Sequence, residues 1–265
     1  MTTKLLTDVA ARPPRPSRGR WSGGLTNGRR RSLDVGSGRA WAPRATMVGV
    51  RRAAHAGRRP RRRATDGTPE EGTMAEVVLF HHVQGLTEGV RTIAESLRGA
   101  GNVVHTPDLF EGRTFATLDE GMAHVQELGF GTVLERGRAV ADGYDAGVVY
   151  AGISLGVLPA QMLAQTRAGA KGAVLLEACV PVSEFGEAWP DAVPVQVHGM
   201  DADPSFAGEG DLDAARELVD STPDAELFVY PGDRHLFTDP SLPSYEPEAA
   251  ALVTERVIRF LDGIR

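Results

Sequence analysis

The chain has one cysteine, Cys179, among its 265 residues. That excludes an internal disulfide, and nothing in the sequence demands an oxidising compartment. It lacks any apolar run of about 18 residues, so no membrane-spanning helix is expected. The twin arginines Arg29-Arg30 lack the apolar segment that an export signal places behind them. No G-x-G-x-x-G or Walker sequence occurs, which removes the usual phosphate cradle for a nucleotide cofactor. No H-x-x-x-H or H-E-x-x-H spacing supplies a pair of helical metal ligands. The expectation is a cytoplasmic protein with neither cofactor nor metal.

Acidic residues are scarce at the beginning. Residues 1–73 hold 17 of the 29 Lys and Arg and 5 of the 35 Asp and Glu, a net charge of +12, whereas the remainder holds 12 against 30, a net of −18. The formal charge of −6 averages two unlike pieces. The first contains Arg12-Pro13-Pro14-Arg15-Pro16 and Arg58-Arg59-Pro60-Arg61-Arg62-Arg63, with no sustained apolar period. Such composition buries too little to fold alone, so a disordered Arg/Pro/Gly-rich extension is expected over 1–73. The alternatives are a basic arm for nucleic acid and an organellar targeting peptide. Met74-Ala75-Glu76-Val77-Val78-Leu79-Phe80 opens straight into a strand, so the folded domain is expected over 74–265 with Met74 as the true start. N-terminal sequencing of the native protein checks this, and a start well upstream of Met74 contradicts it.

From Met74 onward, short apolar runs alternate with amphipathic stretches. Strands are expected at Val77–Phe80, Val103–His105, Gly147–Ala151, Ala173–Glu177, Val195–His198 and Glu226–Tyr230, each nearly continuously apolar, as strands covered on both faces are. Between them Val90, Ile93, Ala94 and Leu97 form a helical stripe; so do Leu118, Met122 and Val125, then Leu155, Leu158 and Met162, then Leu212, Ala215, Leu218 and Val219. A last helix opens at Pro247 and buries Val253, Val257, Phe260 and Leu261. This order implies an α/β fold with a mainly parallel sheet of about six strands and helices on both faces.

In such a sheet, ligands gather beyond the carboxyl ends of the strands. The third strand runs directly into Gly152-Ile153-Ser154-Leu155-Gly156. Glycines flank a serine this way where a sharp strand-to-helix turn crowds the backbone and lifts the hydroxyl clear of the sheet. Beyond the fifth strand stand Asp201 and Asp203, and beyond the sixth Pro231-Gly232-Asp233-Arg234-His235. Serine, acid and histidine in that order form the set the α/β-hydrolase fold uses. A serine hydroxyl needs an imidazole to take its proton, and the imidazole needs a carboxylate to fix its tautomer. Ser154 is therefore the candidate nucleophile and His235 the candidate general base and acid. The acid is either Asp203, favoured because Pro204 follows it, or Asp201, which is closer to the strand end and suited to holding the loop. Cys179, His105, His198 and His124 are read as structural.

With these residues in view, the chain resembles the dienelactone hydrolase family over nearly all of 76–263. The resemblance is carried by Val77–Leu86, by Thr106-Pro107-Asp108-Leu109-Phe110, by the serine turn, by the His198–Asp203 loop and by Tyr230–Phe237. It implies the compact dienelactone hydrolase-like form of the fold and a small-molecule ester or lactone substrate. It also implies an oxyanion hole made by the N–H groups of Leu155 and Val83; His82 and Gln84 of the first loop are candidate substrate contacts, and Arg113 is either a contact for an anionic acyl group or a surface residue. Three departures mark this chain. Ser154 replaces the family's name-giving cysteine, His82 stands near the position of a first-loop glutamate, and Asp239 lies where an arginine reads the substrate carboxylate. They point to a serine esterase, with a hydrolase-fold ligand-binding protein as the alternative. A charge of −18 on the domain speaks against nucleic acid; no membrane is expected as a partner, and the protein is expected to be a monomer or homodimer.

Overall fold

The computed structural model describes residues 74–264. The expectations for residues 1–73 lie outside them.

Six strands form one fully parallel sheet: β1 (Glu76–Phe80), β2 (Val103–His105), β3 (Val149–Ile153), β4 (Gly172–Leu176), β5 (Val195–Met200) and β6 (Ala225–Tyr230). Their order is β2-β1-β3-β4-β5-β6, so the chain steps outward from β1 to β2 and then returns to the other side of β1. The switch point therefore falls between β1 and β3, where the loops after the two strands part and leave a crevice for ligands. Val77 pairs with Val149 and Phe80 with Gly152, which puts the end of β1 level with the start of the serine turn.

Six α-helices cover the sheet: α1 (Glu88–Gly99), α2 (Leu118–Leu128), α3 (Phe130–Ala141), α4 (Val157–Thr166), α5 (Asp211–Ser221) and α6 (Pro247–Ile264). The period of two along each strand divides the interior. Val77 and Leu79 of β1, with Val149, Ala151 and Ile153 of β3, pack with Val90 and Leu97 of α1 and with Val253, Val257 and Leu261 of α6. Val78, Phe80 and Tyr150 turn the other way, toward Val125, Val133, Leu158 and Leu218 of α2 to α5. Helices α1 and α2 start where Thr87 and Thr117 accept a hydrogen bond from the third residue onward, Val90 and Glu120.

Two features differ from the pattern read in the sequence. Helix α3 is not among the helices expected from the sequence; it contains Gly131 and Gly137, and Phe130, Val133, Gly137 and Ala141 form its buried face. Gly137 is required by contact: a Cβ there would lie 2.4 Å from Cβ of Pro159 in α4, so the missing side chain lets the two helices close on each other. The passage from β4 to β5 contains no α-helix, only a single turn at Val182–Glu184. Pro181, Pro190 and Pro194 lie on that passage and remove the amides a helix would need.

The turn after β3 explains its own sequence. Ser154–Gly156 form one 3₁₀ turn that feeds α4, and Ser154 sits at φ 49°, a left-handed conformation in which a bulky residue is strained. A Cβ on Gly152 would lie 2.2 Å from the Gly156 carbonyl oxygen; one on Gly156 would lie 2.3 Å from the Phe80 carbonyl oxygen. Backbone cannot yield as a side chain does. Gly156→Ala is expected to cost at least about 3 kcal/mol, the upper range for overpacking. Thermal unfolding checks this: melting is expected to fall by roughly 6 °C or more for a domain of this size, and an unchanged melting temperature contradicts the packing described.

Candidate active site

Three loops bring Ser154, His235 and Asp203 together. The serine Oγ lies 2.8 Å from Nε2 of His235. The opposite ring nitrogen, Nδ1, lies 2.7 Å from Oδ2 of Asp203. The carboxylate is acceptor only, so Nδ1 carries the proton and Nε2 presents a lone pair to the serine hydroxyl. Asp203 is fully buried, and its other oxygen accepts the Ser205 N–H at 2.8 Å, so its orientation is fixed from both sides. The imidazole retains 11% side-chain exposure, enough to meet a molecule arriving from solvent.

Asp201 takes the other role its position allowed. Its side chain is exposed and its Oδ1 accepts the Gly232 N–H at 3.0 Å. Two backbone bonds, Asp201 N–H to Tyr230 O and Ala202 N–H to Gly232 O, tie the same two loops. Asp201 thus fastens the loop after β5 to the loop that carries His235.

Burial works against a charged His235. The hydrogen bond to Asp203 and the negative charges of Glu177, Asp203 and Asp211 outweigh it, and the imidazole pKa is raised above its ordinary 6.5.

Leu155 and Val83, the two expected amide donors, lie in the segments that follow β3 and β1, the two strands at the switch point. Leu155 is the second residue of the turn feeding α4. Val83 lies in the tight turn after β1 that the bond from Gly85 N–H to His82 O closes. That turn is packed from two sides: a Cβ on Gly121 of α2 would lie 2.3 Å from the Val83 carbonyl oxygen, and one on Gly85 would lie 2.3 Å from the Arg113 carbonyl oxygen.

His82 and Gln84 are placed differently from a substrate-facing pair. Both are buried and both spend their polar atoms inside the protein. The Gln84 amide group donates to the Phe115 carbonyl at 3.0 Å. His82 Nδ1 accepts the Gln84 N–H, so Nε2 carries the proton and donates to Oδ2 of Asp239 at 2.8 Å. Arg113 is exposed, its backbone against Gly85 and its side chain in solvent. His81 is also interior: it donates from Nδ1 to the His82 carbonyl and accepts the Leu109 N–H at Nε2. Burial lowers its pKa to about 4. It thereby fastens the T-P-D-L-F segment to the end of β1.

Asp239, reached in the sequence only as a departure from the family pattern, is a buried anchor. It accepts from His82, from the Thr87 hydroxyl at 2.6 Å and from both the N–H and the hydroxyl of Ser241. Gly89 makes the room, since a Cβ there would meet Asp239 Oδ1 at 1.5 Å. Burial opposes the charge of Asp239, but the bonds from His82, Ser241 and Thr87 prevail and hold its pKa at about 2 against the ordinary 3.8. Because the folded-state value lies below the unfolded one, the resulting stabilisation is complete above about pH 4 and is lost as pH falls toward 2, a change of about 2 kcal/mol. Urea unfolding at pH 5 and pH 2.5 checks this. The difference is expected to shrink by about that amount in Asp239→Asn, and an equal difference in both proteins contradicts it.

The remaining candidates are structural. Burial, with the charge of Arg256 adding to it, lowers the pKa of His198 to about 3, and its Nδ1 faces the Tyr230 hydroxyl at 2.9 Å. Cys179 is fully buried, and burial pushes its thiol pKa up, away from the reactive thiolate. Among the described residues no three His, Cys, Asp or Glu side chains meet as a metal site would require, and no helix is long and apolar enough to cross a membrane. The residue that sequence reasoning missed is Glu177. It is only 1% exposed at the carboxyl end of β4, where burial raises its pKa, and it accepts the N–H and the hydroxyl of Thr238.

Residues 63–264 match the sequence model of the dienelactone hydrolase family; the chain belongs to this family and is an α/β hydrolase. No curated protein sequence matches it. Among solved structures, m3DLH superposes with a TM-score of 0.57 at 22% identity, covering 74% of this chain and 89% of that one. The dienelactone hydrolase-like promiscuous phosphotriesterase P91 from metagenomic libraries gives 0.57 at 19% identity, over 74% and 88%. Esterase 2 of Thermogutta terrifontis, phosphonylated by cyclosarin, gives 0.54 at 17% identity, over 72% and 83%. At these identities the likeness is one of fold.

Proposed function

We propose that the protein is a cytoplasmic serine hydrolase that cleaves a small carboxylic ester, lactone or thioester through an acyl-enzyme on Ser154. The observation that supports this most is the unbroken path from the Ser154 hydroxyl through His235 to the buried carboxylate of Asp203.

As Oγ attacks the substrate carbonyl carbon, its proton passes to His235 Nε2 and the carbonyl electron pair moves to oxygen. The resulting oxyanion meets the N–H groups of Leu155 and Val83, each worth on the order of 3 kcal/mol. The electron pair returns, the bond to the leaving oxygen or sulfur breaks, and the imidazolium gives that atom its proton. Water then repeats the sequence: His235 takes its proton, the acid is released and Ser154 recovers its hydrogen. Arg113, exposed beside the Val83–Gly85 turn, is the residue available to an anionic acyl group.

Turnover of p-nitrophenyl acetate and butyrate tests the reading, followed by a panel of lactones and thioesters. Hydrolysis above the buffer rate is expected, and kcat/KM is expected to fall on the acid side with a midpoint above 6.5, where His235 becomes protonated. Rates equal to buffer across the whole panel would overturn the proposal.

A further inference from the structure

One buried histidine takes no part in the mechanism just described. His81 stands directly after β1 and is wholly buried, and each of its ring nitrogens has a backbone partner. Nε2 accepts the Leu109 N–H at 3.0 Å, which leaves the ring proton on Nδ1, and Nδ1 donates it to the His82 carbonyl at 2.8 Å. The Asp108 carboxylate stands 3.8 Å from Nε2, beyond hydrogen-bond reach, and accepts instead the N–H groups of Phe110 and Gly112. The tautomer of His81 is therefore fixed.

The His82 carbonyl is one end of a peptide unit whose other end is the N–H of Val83. A trans peptide is planar, so its N–H points opposite to its C=O and turns only if the whole plane turns. Here the carbonyl is held twice, by His81 and by the Gly85 N–H at 3.0 Å, which uses both of its lone pairs. The direction of the Val83 N–H is thus set by bonds made at the far end of its own peptide. Hydrogen bonds into a carbonyl also polarise the unit and strengthen its N–H as a donor. Val83 is 3% exposed, yet among the described residues no hydrogen bond takes up its N–H. Buried amides without a partner are rare, and a donor held open for a ligand accounts for this one.

We propose that His81 is a positioning residue for the oxyanion hole: through its bond to the His82 carbonyl it fixes the plane of the His82–Val83 peptide and polarises the Val83 N–H that receives the oxyanion. This rests on the function proposed above. The contribution is realised only as charge develops on the substrate oxygen, so its loss falls on kcat and leaves KM in place. A purely structural role of His81 runs instead through the other ring nitrogen and Leu109. The two roles therefore lie on different atoms and can be separated.

An asparagine amide group reaches where Nδ1 of a histidine stands, and a glutamine amide group where Nε2 stands. His81→Asn thus keeps a donor for the His82 carbonyl, and His81→Gln keeps an acceptor for the Leu109 N–H. With p-nitrophenyl butyrate, kcat is expected about tenfold lower in His81→Gln with KM unchanged, and to recover to within about threefold of wild type in His81→Asn. A histidine that only ties the chain together predicts the reverse order. Equal kcat in wild type and His81→Gln, or a larger loss in His81→Asn than in His81→Gln, would overturn the proposal. If neither variant folds, the unaltered protein carries the test. The NMR signals of its His81 Nδ1 proton and its Val83 amide proton are both expected to move downfield when a fluorophosphonate forms its adduct on Ser154, and a His81 proton that does not move would overturn the proposal. Wild type without turnover would remove the hydrolase mechanism and this role of His81 with it, whereas an active wild type matched by His81→Gln removes the role of His81 alone.

Discussion

Ser154→Ala is expected to lower kcat/KM for p-nitrophenyl esters by about 10⁴-fold or more, leaving only what amide donors and substrate binding contribute. The loss is chemical and not structural. The serine side chain makes one hydrogen bond, to His235, and its φ of 49° is no harder for alanine than for serine. Thermal unfolding of the variant is therefore expected to match wild type within about 1 kcal/mol, the net worth of one hydrogen bond. Steady-state hydrolysis measures the effect. A fall of less than about tenfold would mean that another group attacks the ester.

The second large effect separates two aspartates that lie two residues apart. Asp203→Asn places an amide where Nδ1 of His235 now finds an acceptor 2.7 Å away. An amide N–H turned toward the ring favours the other tautomer, with its proton on Nε2, where it can no longer accept from Ser154. A loss of about 10³ to 10⁴ in kcat is expected. Asp201→Asn keeps an oxygen for the Gly232 N–H, so its kcat is expected to stay within about threefold of wild type, as for an exposed substitution. Equal losses in the two variants would contradict the assignment, because both loops would then contribute only by folding.

Much of this arrangement was legible in the sequence. The strands appear as short apolar runs because a parallel sheet covered on both faces leaves no polar side to mark them, and each was found within about two residues, the usual uncertainty of such boundaries. The turn after β3 was legible because two backbones meet there and only glycine fits. Asp203 and Asp201 could not be separated by spacing alone. Their roles depend on a difference in burial, complete for Asp203 while Asp201 is exposed, that local sequence does not show. Helix α3 was missed although Phe130, Val133 and Ala141 recur at helical spacing on its buried face, because Gly131 and Gly137 interrupt the pattern. The sequence did not show that His82 bonds to Asp239 and that the Gln84 amide N–H bonds to the Phe115 carbonyl, because both partners lie far along the chain. Glu177 lies at the end of an apolar strand, and nothing around it in sequence signals that Thr238, 61 residues later, arrives to meet it.

Treatment with a fluorophosphonate probe followed by peptide mass analysis is the most direct measurement of whether hydroxyl, imidazole and carboxylate act as one device. The adduct is expected on the peptide containing Ser154, formed faster as His235 loses its proton and absent from both Ser154→Ala and His235→Ala. An adduct on a different residue, or labelling of Ser154→Ala at the wild-type rate, would contradict the account.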